Sequence, residues 1–274
     1  MSTLLNVASL ILPLGYLLVA VGYGALFFAS HPRARRTAPI ALRGVALLHL
    51  LYLAGLTFQW GQVPATTVSH ALSMIALAVA VVYIFVEHRA GERSTGFWLV
   101  GLVFVFQLLA SLLNTPKPPD RAIFHDPFFG IHVALALLGY AAFVVGAGYA
   151  FLYLQLYRDL KHGRFSTFFG KLPPLEVLER LMTGALIAGF VALTGAVVSG
   201  ALWAQRLYPG SWLHDPKILF TLATWALYAL VFLFRRLRRW QGPQTAFASL
   251  AGLAAILFSL VAINVFFTDF HGFL

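Results

Sequence analysis

"HVALALLGYAAFVVGAGYAFLYL", His132–Leu154, carries no charged side chain along its whole length. Coiled as a helix it is apolar on every face and long enough to cross the hydrocarbon core of a bilayer, which takes roughly 20 residues. An open strand of the same residues would leave backbone N–H and C=O groups unpaired in lipid, so a helix is the form the stretch dictates. Working outward from it, this segment extends over about 131–157, and further apolar stretches fall at about 5–30, 39–58, 69–87, 97–114, 182–204, 217–234 and 244–268. The expectation is an all-α integral membrane protein with eight transmembrane helices, a single polytopic domain over 1–274. The first stretch has no basic residue ahead of it and exceeds the apolar length of a signal peptide, so it reads as a retained helix.

Composition agrees. Of 274 residues, 60% are hydrophobic and 10% charged, against roughly a quarter charged in a soluble domain. The net charge of +10 would suit a nucleic-acid partner, but the placement of the charges explains it otherwise. Of 19 Lys and Arg, only Lys117, Arg121, Arg206 and Lys217 fall on one side of the predicted helices; all the others fall on the opposite side. Such a bias puts the basic side in the cytoplasm and both termini on the outer, periplasmic side. No nucleic-acid partner is implied. The absence of cysteine excludes thiol–disulfide chemistry, iron–sulfur clusters and thioether attachment of haem.

Two connections stand out. The inner segment 158–181, with "KHGRFSTFFGKLPPLEVLERL", is too charged to insert and is expected to lie along the cytoplasmic surface. The outer loop 205–216 leads into "GSWLHDPKILFTLATW", Gly210–Trp225, where Trp212, His214, Asp215 and Lys217 crowd beside Pro216.

Histidine carries the chemistry. Among nine histidines, His31, His88 and His162 lie with the inner basic residues and read as solvated. His70, His125, His132, His214 and His271 all map to the outer face, on four different segments. Histidine is a routine haem ligand, and an outer supply of Trp60, Phe124, Phe128, Phe129, Trp203, Tyr208 and Trp212 suits a porphyrin. Arg121, Arg206 or Lys217 offer partners for its propionates. The competing reading is interfacial: Trp and Tyr gather at membrane boundaries without any ligand, and histidines there are merely wet. His49, near the middle of the second helix, is a functional candidate because an ionisable group is costly in lipid; a neutral His hydrogen-bonded to a neighbouring helix is the alternative.

Four pieces in order resemble the CcsA-type cytochrome c assembly proteins, and more closely their HemX-like relatives. They are "GQVPATTVSHALSMIALAV", "HVALALLGYAAFVVGAGYAFLYL", "LPPLEVLERLMTGALIAGFVALTGAVVSGALWA" and "INVFFTDFHGFL". The likeness spans about residues 40–274. It implies that His132 and His271 are the flanking outer histidines that ligate haem b, that Trp203 and Trp212 belong to the tryptophan-rich segment, and that Asp215 and Lys217 anchor it. His214 stands where that segment usually has Trp, Ile218 replaces a usual Glu, and the dense tryptophan core is missing. A further transmembrane histidine beyond Trp225 also has no counterpart.

The resemblance therefore implies a haem-binding factor of cytochrome c maturation in the bacterial inner (plasma) membrane. It would present haem to another assembly protein rather than act as a haem lyase; His49, by its mid-membrane position and not by the resemblance, is a candidate for a further haem contact. The alternative is a non-catalytic HemX-like partner or regulator of a tetrapyrrole-synthesis enzyme, docking through its basic inner loops. A solute carrier is disfavoured, since every Asp and Glu falls at a loop or helix end.

Overall fold

The computed structural model describes residues 2–65, 67–113, 122–163, 170–207, 216–238, 240 and 242–266, and every described element is helical. The long helices are α1 (Ser2–Ala29), α2 (Pro32–Trp60), α3 (Val68–Ala90), α4 (Gly96–Leu113), α5 (Pro127–Lys161), α6 (Leu175–Leu207), α7 (Pro216–Arg238) and α8 (Gly242–Phe266), with a single 3₁₀ turn at Ala122–His125. Seven of them, α1 to α7, are long and apolar enough to cross a membrane. Helix α8 is apolar as well, with its described side chains ending at Phe258.

Local chemistry sets the ends. Pro32 and Pro127 open α2 and α5, at positions where a missing N–H is harmless. Thr67 caps α3 and Asp126 caps α5 by accepting backbone N–H groups. Gly61 and Gly91 close α2 and α3 in the left-handed conformation, at φ 69° and 67°. Several helices outrun their apolar stretches: α2 begins at Pro32, ahead of Arg33, Arg35 and Arg36, and α6 begins at Leu175. Hydrophobicity stops at the membrane boundary, whereas the hydrogen-bond ladder continues through it. For the same reason segment 158–181 begins in the last turn of α5 and ends in the first turns of α6, with 164–169 outside the described residues.

The helices group into two compact units. The first holds α1 to α4 together with Lys171. A polar chain runs through its interior and touches all four helices. Tyr16 Oη lies 3.0 Å from His49 Nδ1, and His49 Nε2 lies 2.9 Å from Ser73 Oγ. Ser73 donates to Gln107 Oε1 at 2.9 Å, Gln107 Nε2 reaches Ser111 Oγ at 3.4 Å, and Ser111 donates to the Ser9 carbonyl at 2.6 Å. Because Ser73 spends its proton on Gln107, His49 Nε2 must donate to Ser73, and Nδ1 must accept from Tyr16. One neutral tautomer satisfies the whole chain.

The second unit is built on α5 against α6. Their backbones meet at glycine: a Cβ on Gly139 would lie 3.1 Å from the Leu193 nitrogen, and one on Gly189 would lie 3.1 Å from the Gly139 carbonyl oxygen. Small residues allow such close approach, which is how helices associate where lipid removes the hydrophobic drive. Helix α7 packs on by stacking Tyr228 against Phe143, rings 3.8 Å apart, and by the Trp225 indole donating to Thr194 at 2.9 Å. Near the C-terminal end of α7, Arg235 binds Thr245 at 2.7 Å and pairs with Glu179 at 3.4 Å.

Candidate functional site

Asp126, one residue before α5, organises the site in the second unit. Its Oδ1 accepts the Phe128 N–H at 2.9 Å, capping the helix, and its Oδ2 accepts the Trp203 indole N–H at 2.8 Å. One carboxylate thus ties the start of α5 to the end of α6. Phe129, in the first turn of α5, packs against Trp203 at 5.7 Å and against Phe124 at 5.3 Å. The Arg206 guanidinium lies over the Phe128 ring at 4.8 Å. An aromatic wall and a cation therefore share one end of the α5–α6 pair.

His132 sits beside this wall, half-buried. Its Nδ1 is 2.8 Å from the Ala196 carbonyl. A carbonyl only accepts, so Nδ1 carries the proton and Nε2 bears the lone pair. Metal-ligating histidines are commonly oriented by just such a bond from the far nitrogen. Space for the ring comes from Gly200, where a Cβ would fall 2.6 Å from His132 Nδ1 and 2.7 Å from Cε1. Both contacts are shorter than any side chain tolerates. The residues present fit a haem: a histidine in a fixed tautomer, flat aromatic surfaces, and a guanidinium that could meet a propionate. Among the described residues there is no cluster of three or more His, Cys, Asp or Glu that would hold a bare metal ion. A porphyrin needs none, since it brings four of its iron ligands itself.

Of the residues singled out in the sequence, His132 and Trp203, with Phe124, Phe128, Phe129 and Arg206, are brought to this one end of the α5–α6 pair. His271, Trp212, His214 and Asp215 lie outside the described residues, as does the side chain of Lys217. His49 belongs to the other unit and has both ring nitrogens engaged by Tyr16 and Ser73. His70, also in that unit, packs edge-on to Trp60 at 4.8 Å, with Nδ1 at 2.5 Å from Thr67 Oγ1. Sequence reasoning missed Asp126 and Gly200. The Asp-Pro pair at 126–127 was a legible helix start; Gly200 gave no signal of its own until its neighbour across the interface was known.

His49→Leu is expected to lower stability by about 1–3 kcal/mol, because it strands the Tyr16 hydroxyl and removes the donor to Ser73 Oγ, which keeps only its bond to Gln107. Thermal unfolding in detergent, followed by tryptophan fluorescence, measures this. If haem content fell instead and stability held, His49 would be a ligand and not the hub of the polar chain.

A family model described as Cytochrome C assembly protein matches residues 40–271. Relatives named cytochrome c biogenesis protein CcsA include one from Synechococcus sp. (strain CC9605), 25% identical over 94% of this chain and 94% of its own length. Another, from Synechococcus sp. (strain RCC307), is 27% identical over 100% and 97%. A third, from Heterosigma akashiwo (strain NIES-293 / 8280G21-1), is 22% identical over 81% and 80%. These relatives carry the CcsA name; placement in a HemX-like branch rests only on the sequence departures at His214, Ile218, the missing tryptophan core and the absent histidine beyond Trp225.

Proposed function

Because the chain belongs to the cytochrome c assembly protein family, its role lies in cytochrome c biogenesis, and we propose that it serves there by holding haem b at the outer face of a bacterial inner membrane. The observation that carries this reading is His132, whose Nδ1–H is spent on the Ala196 carbonyl so that Nε2 presents its lone pair. His132 would be one axial ligand and His271 the other. Phe129 and Trp203 would flank the porphyrin, Trp212, His214 and Asp215 would form the loop beside it, with Lys217 at the start of α7, and Arg206 would meet a propionate. Haem supplies the redox-active iron and the vinyl groups that cytochrome maturation consumes. The protein's part is to orient the ring and pass it to another assembly component, with the basic inner loops available to a cytosolic partner.

The visible spectrum of protein purified in detergent from haem-sufficient cells tests this. A Soret band with a low-spin ferric signature is expected. A colourless protein that also fails to bind added haemin would end the proposal.

The orientation follows the basic bias: eight spans, both termini outside. With no native cysteine, a Ser2→Cys variant gives a clean test. Labelling by an impermeant maleimide in whole spheroplasts is expected. Labelling only after the membrane is opened would reverse the topology and move His132 to the cytoplasmic side.

A further inference from the structure

The basic end of the first unit holds a cavity of about 800 Å³. It is formed by the end of α1, the start of α2, the α3–α4 connection and Lys171. Five cations line it, Arg33, Arg35, Arg36, Arg93 and Lys171, against a single carboxylate, Glu92. We propose that this cavity is a binding site for a phosphate-bearing anion, supplied as the headgroup of an anionic phospholipid.

Three features point to an anion. First, α2 opens with Arg33, Arg35 and Arg36 in or beside its first turn, with no acidic residue there and no side-chain cap from His31. That is the positive end of the helix dipole, where cations repel and an anion is favoured. All three arginines are exposed, and none has a carboxylate partner among the described residues. Second, the other two cations are fixed in place. Arg93 donates to the Arg35 carbonyl at 2.8 Å and lies 3.6 Å from the buried Glu87 carboxylate, which also accepts from the Tyr23 hydroxyl. Lys171 donates to the Phe28 carbonyl at 2.6 Å. Third, one of the lining residues carries an unspent donor. Ser94 lines the cavity, and its Oγ is buried with no hydrogen-bond partner among the described residues. Glu92, by contrast, is occupied, accepting the Ser94 N–H at 2.8 Å.

Guanidinium forks and a hydroxyl donor suit the tetrahedral oxygens of a phosphate better than a flat carboxylate. The surroundings favour lipid as its source. Leu26 and Phe27 line the same cavity, and Phe28 and Ile40 beside it leave 47% and 67% of their surface open. Cationic pockets between helices at this boundary are where acidic headgroups lodge.

Native mass spectrometry of the full chain in neutral detergent tests the site, with dioleoylphosphatidylglycerol and dioleoylphosphatidylcholine as probes. The wild type is expected to retain the phosphatidylglycerol and to shed the phosphatidylcholine. An Arg33→Gln/Arg36→Gln pair is expected to weaken phosphatidylglycerol binding about 20-fold, while an Arg158→Gln/Arg236→Gln pair, equal in charge but outside the cavity, changes it less than about twofold. Ser94→Ala, which removes no charge, is expected to weaken it about threefold through the lost hydroxyl donor. A parallel arm adds inorganic phosphate. Displacement of the lipid by millimolar phosphate in the wild type would keep the site and assign it to a soluble anion; no displacement assigns it to lipid. Equal retention of the two lipids, equal losses in the two arginine pairs, or binding of neither lipid nor phosphate would overturn the proposal.

Discussion

Replacing His132 with alanine is expected to strip at least about nine-tenths of the haem from the purified protein, a tenfold or greater loss of affinity. Any haem that stays should move from low spin to high spin, because one axial position is then open. Added imidazole should refill that position and restore the low-spin spectrum, since the hollow facing Gly200 that admits the natural ring remains. His271→Ala is expected to behave in the same way if the two residues share one iron. His214→Ala should leave the spin state unchanged, because the proposal places it in the loop wall and not on the iron. The alternative, in which these histidines are only interfacial, predicts identical spectra for all three variants. An unaltered low-spin spectrum in His132→Ala would remove this residue from the site, whatever the family does.

The helices were legible because their cause is local. An uncharged run such as 132–154 has no stable form in lipid except a helix, and its length names the span. Helix ends were less legible, as α2 and α6 show, because hydropathy reports the membrane boundary and not the end of the hydrogen-bond ladder. The site was half legible. His132 announced itself by its type and place, and Trp203 through the resemblance. What the sequence withheld was pairing across helices. Asp126 and Trp203 are 77 positions apart, and nothing in either local stretch says that one carboxylate binds the other's indole. His49 shows the same limit from the other direction. Its mid-membrane position suggested function, and only the sequence-distant Tyr16, Ser73 and Gln107 reveal a chain that a neutral histidine satisfies completely. The two histidines hold opposite tautomers: His49 donates from Nε2 to Ser73 within the core, whereas His132 donates from Nδ1 to the Ala196 carbonyl.

Gly200→Ala should separate haem binding from folding. In a helix interior, alanine is favoured over glycine by up to about 1 kcal/mol, so on propensity alone the change would steady α6. At this position, however, the new methyl would stand 2.6 Å from His132 Nδ1, and the imidazole must give way. A histidine ring is free to swing aside at small cost to the fold. It cannot do so while keeping the 2.8 Å bond to the Ala196 carbonyl that sets its tautomer and direction. Losing such an orienting bond typically weakens metal binding about 10- to 100-fold, and a similar loss of haem affinity is expected here with the thermal midpoint unchanged or slightly raised. Gly184→Ala is the matched control, on the same helix, with nothing within 4 Å of the added carbon. It should gain the helix propensity and keep the haem. If Gly200→Ala binds haem as Gly184→Ala does, the seating of His132 against α6 has no part in holding the cofactor. If both variants lose haem and stability together, the effect belongs to α6 as a whole and not to the hollow at Gly200.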